Sequence, residues 1–394
     1  PGMIDDQVHF REPGLTHKGG IRSESRAAAA GGITSFMEMP NTLPPTVTLD
    51  ALEDKYVVAA EKSLVNYAFY LGATNDNLDV IRALQPGQAA GIKIFMGAST
   101  GNMLVDNEET LAGIFRDAPA LIATHCESTP LIDANLAAAL EKYGPEIPVT
   151  EHPNIRSAEA CYVSTVLAQE LARRYSAPLH VLHLSTGREM ELFEPGPMAD
   201  KLITAEICVH FLHFDSSHYP SHGNRIKCNP AIKTPADRAA LLQALKDGRL
   251  DIIATDHAPH TAEEKAATDY RKAPSGLPLV QDALLSVLEL HHDGDLGLEQ
   301  IVRLTAHNIA DRFKVVDRGY LREGYWADLV LIDLAAPTAA TADRVLSQCG
   351  WTPFEGETFR SSIARTIVNG QTVFDGEAIV ETDAAQRLEI GRQR

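Results

Sequence analysis

The chain has 394 residues, of which 44% are hydrophobic and 22% charged, and its formal net charge is −18. This composition is typical of a soluble enzyme, and the length suffices for one large domain with a smaller module. The acidic balance argues against nucleic acid as a partner, since its recognition requires clustered Lys and Arg, and equally against an anionic membrane surface. No apolar run approaches the ~20 residues that a membrane-spanning helix requires.

Cysteine usage and the start of the chain bear on its location. Five cysteines are scattered along the sequence without a CxxC pair. This pattern favours reduced thiols in a cytoplasmic protein, and no secretory signal is visible. The sequence begins with Pro1-Gly2 instead of Met, so we expect a segment upstream of it.

Short apolar runs alternate with helix-like stretches along most of the chain. The predicted strands are Met3–Val8, Ile33–Glu38, Asn66–Leu71, Ala90–Phe95, Leu121–Thr124, Pro178–Leu182, Leu202–Val209 and Asp251–Thr255. Their apolar character is typical of parallel strands covered on both faces. Helices are predicted between them, for example at Leu49–Ser63, Ser157–Tyr175 and Pro235–Asp247, the last with Thr234 as its N-cap. This alternation predicts a (β/α)₈ barrel of the TIM type.

The pattern changes after a predicted helix at Leu298–Phe313. Strands are predicted at Ala327–Leu334 and within Ile363–Phe374, where Asn369-Gly370 is a strong hairpin signal. We therefore predict a barrel domain over residues 1–313 and a small β-rich module over residues 314–394.

The segment from Asp256 to His260 directly follows the last predicted barrel strand. Residues at the carboxyl ends of barrel strands converge on one site. Asp256 is therefore a candidate metal ligand and general base that would pass a proton from water to a leaving nitrogen, with helix capping as the alternative. His260 is a candidate for holding a substrate anion, or else a solvated loop residue.

The first predicted strand ends in a similar way. Residues two apart in a strand face the same side, so Gln7, His9 and Arg11 are expected to point together. A His-x-His pair here would be a strong metal signal, and Gln-x-His is a weaker one. His9 is a candidate metal ligand, with a structural or surface role as the alternative.

Lys93 lies inside the apolar run that forms the fourth predicted strand. A buried lysine is costly unless its ammonium group is paired or chemically altered. Either its head reaches the barrel rim, or its pKa is depressed and the amine adds CO₂. The resulting carbamate would bridge two metal ions as a carboxylate does.

Histidines and asparagines follow other predicted strands. His125 and His183 each end a strand, and imidazole nitrogens suit zinc, so we predict that they bind a second ion. His180 falls outside that pattern and is predicted to be structural. Asn41 and Asn229, each beside a proline, are candidate ligands for a substrate amide or carboxylate, or else turn residues.

Six motifs, in this order along the chain, together resemble the dihydroorotases of the amidohydrolase superfamily. They are DDQVHFREPG (5–14), EMPNT (38–42), THCE (124–127), LHLST (182–186), KCNP (227–230) and TDHAPH (255–260). Dihydroorotases interconvert N-carbamoyl-L-aspartate and L-dihydroorotate in pyrimidine biosynthesis. The resemblance implies two zinc ions held by His9, carboxylated Lys93, His125, His183 and Asp256. It implies substrate-carboxylate contacts from Arg11, Asn41 and His260, and pyrimidine-ring contacts from Asn229 and the loop at Pro274–Leu277, which includes Gly276.

Gln7 departs from the family pattern, which has histidine at this position. A glutamine offers a carbonyl oxygen, which is a poorer zinc ligand than imidazole. Whether the more buried of the two zinc positions, the one beside Gln7 and His9, is occupied therefore stays open. Because the other ligand positions match, we expect a working enzyme.

Two alternatives follow from the same residues. Hydantoinases, dihydropyrimidinases and allantoinases act on rings without a carboxylate, whereas Arg11 and Asn41 favour a ring that carries one. A non-catalytic dihydroorotase-like scaffold, partner of another pyrimidine enzyme such as aspartate transcarbamoylase, is the second alternative, because of Gln7. The resemblance also implies a homodimer, and an N-terminal segment of the small β module that this sequence lacks.

Overall fold

The structure is a computed structural model that describes residues 1–97 and 103–391. The strands are β1 Met3–Val8, β2 Ile33–Glu38, β3 Asn66–Phe69, β4 Leu71–Gly72, β5 Ile92–Phe95, β6 Ile122–His125, β7 Leu179–Val181, β8 Ile203–Cys208, β9 Ile252–Ala254, β10 Leu329–Asp333, β11 Thr338–Ala339, β12 Thr358–Phe359, β13 Ser362–Val368 and β14 Gln371–Phe374. The α-helices are α1 Ile21–Ala30, α2 Leu49–Lys62, α3 Leu78–Ala83, α4 Glu108–Asp117, α5 Thr129–Tyr143, α6 His152–Ile155, α7 Ala158–Tyr175, α8 Val209–His213, α9 Tyr219–His222, α10 Pro235–Lys246, α11 Ala262–Lys265, α12 Ala283–His292, α13 Leu298–Val302 and α14 Asn308–Phe313.

The first nine strands form a closed parallel barrel. They lie in the order β1-β2-β3 and β4 to β9, and β3 and β4 are the two halves of one barrel strand interrupted at Tyr70. A parallel bridge between Val8 and His257 joins the first strand to the last, with His9 N donating to His257 O at 2.7 Å. Helices alternate with these strands, which confirms the predicted (β/α)₈ barrel.

Each predicted barrel strand is confirmed, with ends that shift by one or two residues. All residues of β1 and β2 are buried, as expected for parallel strands covered on both faces. The predicted cap of α10 is also present, since Thr234 Oγ1 accepts from Asp237 N at 3.2 Å. The predicted helix at Leu298–Phe313 contains a π-helical turn at Arg303–His307 between α13 and α14.

The C-terminal strands form a small antiparallel sheet in the order β10-β13-β14. Asn369 and Gly370 have φ of 50° and 83°, which is the backbone of the predicted hairpin turn. The final segment returns to the barrel, where Leu388 N donates to Tyr67 O at 2.9 Å. The domain boundary after residue 313 stays a prediction. Within the described ranges, the helices are all too short or too polar to cross a membrane.

One end of the barrel interior is closed by apolar side chains, and the predicted site residues lie at the other end. Ile4, Tyr70, Ile309 and Phe313 belong to one buried cluster, so helix α14 closes this end of the barrel. The strand ends that carry His9, Lys93, His125 and the other predicted site residues open at the opposite end. This arrangement places the site where barrel enzymes have theirs.

Candidate active site

The residues that the sequence singled out line one cavity of about 450 Å³ at the carboxyl ends of the strands. They are Gln7, His9, Arg11, Asn41, Lys93, His125, His183, Asn229, Asp256, His260, Pro274 and Gly276. The residues come from eight separate stretches of the chain, so their convergence is a property of the fold. The roles of these residues in binding metal and substrate stay predictions.

His9 and Asp256 face each other across the closure of the barrel. His9 Nδ1 lies 2.8 Å from Asn41 Oδ1, which can only accept, so Nδ1 carries the proton. The lone pair of His9 is therefore on Nε2, 3.1 Å from Asp256 Oδ1. Two acceptor atoms at this separation suit a shared cation, and the Asn41 contact is the kind of hydrogen bond that orients a metal-binding histidine.

His125 and His183 repeat this arrangement on the next side of the cavity. His125 Nε2 lies 2.9 Å from Glu127 Oε2, so its lone pair is on Nδ1, 3.0 Å from His183 Nε2. Burial lowers the pKa of both imidazoles, and a metal requires the neutral form. Glu127 is itself fixed by an ion pair with Arg156. Sequence analysis missed the orienting role of Glu127, although the residue belongs to the quoted THCE motif.

Lys93 is buried between these two pairs. Burial lowers the pKa of its ammonium group to about 8. Its Nζ lies 4.7 Å from the centre of the Phe95 ring, and within the described residues its nitrogen has no carboxylate closer than 4.0 Å. An amine with this pKa is partly neutral at physiological pH, which is the form that adds CO₂.

Gln7 offers an amide where the family pattern has a histidine, and only one end of this amide is hydrogen-bonded. Its Nε2 donates to Asp256 Oδ1 at 3.2 Å. Its Oε1 is buried and has no hydrogen-bond partner among the described residues. A buried acceptor without a partner is costly, and a bound cation beside Gln7 Oε1 would remove this cost. The donor set as a whole therefore fits a metal centre, with Gln7 as its weakest member.

Three of the predicted site residues have left-handed backbone conformations. Arg11, His183 and Asp256 have φ of 69°, 41° and 52°. A non-glycine residue in this region costs on the order of 1–3 kcal/mol, and such residues cluster at functional sites. Each of the three lies where a barrel strand turns into its loop, so the strain sets the direction of the side chain.

Arg11 and His260 form the opposite wall of the cavity. Arg11 Nε donates to Pro259 O at 3.1 Å, and its Nη2 lies 3.1 Å from His260 Nε2. Burial, together with Arg11 and Lys18, holds the pKa of His260 well below its ordinary value, so the imidazole is neutral. Lys18 Nζ lies 3.1 Å from His260 Nδ1. This wall presents positive charge and hydrogen-bond donors to the cavity, as a carboxylate would require.

The loop that contains Pro274 and Gly276 is held from below by two buried lysines. Lys227 Nζ donates to the carbonyls of Tyr270 and Ala273, both at 2.6 Å. Lys265 Nζ donates to the carbonyls of Pro274 and Gly276 at 3.0 and 2.9 Å. Neither lysine was selected from the sequence, because the carbonyl groups that they bind come close only in the folded chain. Gly276 is required here, since its φ is +144° and a Cβ would lie 2.4 Å from Ala258 O.

A second polar cluster lies beneath the cavity, inside the barrel. Asp6, His180 and Glu206 are fully buried, and one ligand atom from each lies within 4.8 Å of the others. Glu206 Oε1 accepts from His183 N at 3.0 Å, and the His180 ring packs on Phe313 at 5.8 Å. The cluster therefore separates the candidate active site from the apolar end of the barrel. Sequence analysis predicted only a structural role for His180 and did not select Asp6 or Glu206.

Comparisons with known proteins agree with this architecture. The family model described as "Amidohydrolase family" matches residues 1–373. A dihydroorotase from Halobacterium salinarum is 36% identical over 390 residues, which is 97% of this chain and 88% of that protein. An allantoinase from Deinococcus radiodurans is 32% identical over 98% of this chain and 87% of its own length.

A solved structure extends the likeness to the fold. The L-hydantoinase (dihydropyrimidinase) from Arthrobacter aurescens superimposes with a TM-score of 0.92 at 27% identity, covering 99% of this chain and 88% of that chain. The matched family model spans residues 1–373, and the two curated relatives cover 97% and 98% of this chain. The chain therefore belongs to the amidohydrolase family.

Proposed function

We propose that this chain is a metal-dependent dihydroorotase that interconverts N-carbamoyl-L-aspartate and L-dihydroorotate. The observation that carries the proposal is the charge of the cavity in an acidic chain. The cavity is lined by six cationic residues and, among its described lining residues, by Asp256 as the single carboxylate; the six are Arg11, Lys18, Lys93, Arg156, Lys227 and Arg271. Arg156 and Arg271 are paired with Glu127 and Asp269, so Arg11 is the cation best placed to bind a substrate carboxylate. L-Dihydroorotate carries one carboxylate and N-carbamoyl-L-aspartate two, whereas hydantoin and allantoin rings carry none. The dihydroorotase relatives, which cover 96–98% of this chain, support the same assignment.

The metal centre that fits these residues is binuclear. His9 and Asp256 would hold one ion, with Gln7 Oε1 beside it, and His125 and His183 would hold the other. Carboxylated Lys93 would lie between the two. When bound, zinc supplies Lewis acidity for the ring amide and lowers the pKa of water.

The chain's own residues would then bind, orient and move protons. Arg11 and His260 would hold the ring carboxylate, with Asn41 at the edge of the same pocket. Asn229 Oδ1 is buried without a hydrogen-bond partner among the described residues, and it would accept a ring N–H. Asp256 would take a proton from the attacking water and return it to the leaving ring nitrogen, so that the amide bond breaks as the carboxyl group forms.

The first experiment is hydrolysis of L-dihydroorotate by purified chain supplied with zinc and bicarbonate. We expect turnover, and we expect electron density for a carbamate on Lys93. Folded, zinc-loaded protein that does not turn over dihydroorotate would contradict the proposal. Gln7→His is the matched variant: activity that appears only in this variant would assign the natural chain to the non-catalytic scaffold.

A related cyclic amidohydrolase is the second candidate. The close superposition on an L-hydantoinase and the allantoinase match over 98% of this chain favour it. Phe95, Ile132, Leu136 and Ile155 also give the cavity an apolar side that an uncharged ring substituent would contact. Hydantoin and allantoin are therefore assayed beside dihydroorotate, and faster turnover of either would select this candidate.

We also propose a cytoplasmic location, because all five cysteines are buried free thiols. A homodimer remains the proposed assembly, and sedimentation of the purified chain tests it.

A further inference from the structure

The buried cluster of Asp6, His180 and Glu206 has the atoms of a metal site. It offers two carboxylates and one imidazole, and all three side chains have an exposure of 0%. Both carboxylate oxygens of Asp6 have no hydrogen-bond partner among the described residues. A fully buried carboxylate with neither oxygen bonded is strongly disfavoured unless a cation lies beside it.

The imidazole of His180 is oriented as a ligand. Its Nδ1 lies 2.8 Å from Thr204 Oγ1, and the Thr204 hydroxyl donates to Leu179 O at 3.4 Å. The hydroxyl proton is thus directed to the carbonyl, and its lone pair accepts from His180 Nδ1–H. The lone pair of a neutral His180 is then on Nε2, which points at both carboxylates. His9 and His125 have the same arrangement of an outer hydrogen bond and an inward lone pair.

The separations within the cluster are those of ligands around one ion. His180 Nε2 lies 3.2 Å from Glu206 Oε2 and 3.4 Å from Asp6 Oδ2. Bonds of about 2.1 Å to a common zinc ion place neighbouring ligand atoms about 3.0–3.4 Å apart. A charge-assisted hydrogen bond between imidazolium and carboxylate is shorter, at about 2.7–2.9 Å. The pairs in the candidate active site, at 3.0 and 3.1 Å, fall in the same range as the cluster.

The two carboxylates of the cluster also need a positive charge beside them, from a bound ion or from a protonated His180. Among the described residues, no lysine or arginine nitrogen lies within 4.0 Å of Asp6 or Glu206. Lys93 stabilises Glu206 from a greater distance, and carboxylation of Lys93 would replace that positive charge with a negative one.

We propose that Asp6, His180 and Glu206 bind a divalent transition-metal ion, structural in role, beneath the active-site metals. Two oxygens and one nitrogen suit zinc or manganese. The site lies between Phe313 and His183, and its ion would fix the Glu206 carboxylate that accepts from His183 N. The proposal does not depend on which cyclic amide the enzyme hydrolyses.

The direct test is anomalous diffraction from crystals grown with zinc alone and with manganese alone. We expect a peak within bonding distance of Asp6, His180 and Glu206, in addition to the peaks of the active site. The rival is an imidazolium shared by two carboxylates: although burial opposes it, Asp6 and Glu206 raise the pKa of His180 to about 9. Occupied active-site positions with no peak in the cluster would establish this rival and overturn the proposal.

A matched pair of variants tests the same site in solution. Asp6→Asn keeps the shape of the side chain, and we expect the purified protein to lose a single metal equivalent per chain. Glu189→Gln is the control, because Glu189 is equally buried but is bonded to Thr165 and Thr186. Equal metal content in both variants would contradict the proposal. If Asp6→Asn does not fold, the diffraction experiment on the unmodified chain decides.

Discussion

The barrel interior contains two layers of polar side chains. The layers contain similar chemical groups but differ in whether substrate and solvent can reach them. The upper layer, with His9, His125 and Asp256, opens into the cavity, whereas the lower layer of Asp6, His180 and Glu206 is sealed. Each layer combines carboxylate with imidazole, and each orients its imidazoles by an outer hydrogen bond. The same groups can therefore serve turnover where substrate reaches them and stability where it does not. A chelator should remove ions from the upper layer first.

The sharpest test of the difference in access replaces one aspartate in each layer by asparagine. Asp256→Asn removes the proposed base, and we expect kcat for dihydroorotate to fall about 10³-fold, within the range for general base catalysis. Asp6→Asn should lower kcat by less than about tenfold, because Asp6 does not reach the cavity. Steady-state kinetics on both folded variants measures this, and equal losses would show that the two layers act as one.

The charged wall of the cavity gives the next largest effect. Arg11→Met should raise KM for dihydroorotate about 10- to 100-fold, since a hydrogen bond to a charged group is worth about 1.5–3 kcal/mol. Zinc content should not change. Arg271→Met serves as the control, because Arg271 is an exposed cavity residue already paired with Asp269. An unaltered KM in Arg11→Met would rule out Arg11 as the carboxylate ligand.

The orienting hydrogen bonds can be compared between layers. Glu127→Gln keeps a group next to His125 Nε2 but removes the charge, and we expect zinc affinity to fall about 10- to 100-fold. Thr204→Val removes the corresponding partner of His180. Competition with a zinc chelator measures both variants. Loss of the upper-layer ions in Thr204→Val would contradict the separation of the layers.

The smallest expected effect is on the pH dependence of stability, and it comes from Lys265, which is buried beneath the loop that contains Pro274 and Gly276. Burial lowers the pKa of Lys265 to about 7, below its unfolded value of about 10.4. Between these pH values the unfolded chain binds more protons than the folded chain, so stability from this residue rises with pH through that window. Lys265→Met should flatten the rise, as measured by denaturant unfolding from pH 7 upward. An identical pH dependence would assign the slope to other groups.

Sequence reasoning located the upper layer and missed the lower one for a physical reason. Residues that end successive parallel strands share one face of a barrel, so His9, His125 and Asp256 could be grouped from their positions alone. Strict alternation from Gln7 and His9 places Asp6 on the opposite face. The register of β1 shifts between Asp5 and Val8, and within this irregular stretch Asp6 lies 3.4 Å from His180. A bulge of this kind depends on tertiary pairing, so no periodic pattern could reveal it.

Residues that support the site were also hidden from the sequence. Arg156, Lys227 and Lys265 act through carbonyl groups or carboxylates that only the folded loops bring near. The strand and helix positions, in contrast, followed from apolar runs and caps, and their ends moved by only one or two residues. Local sequence patterns thus predict the positions of the strands and helices. The ion pairs and hydrogen bonds that support the site depend on contacts between residues far apart in the sequence.

The left-handed backbones of Arg11, His183 and Asp256 bear on how this chain can change over time. Glycine adopts such a conformation without strain, so at each of the three positions a change to glycine would relax the backbone and remove the side chain to which we assign a role. A chain under selection for stability alone would drift toward those substitutions. All three positions here carry a strained non-glycine residue, which agrees with the roles proposed for their side chains.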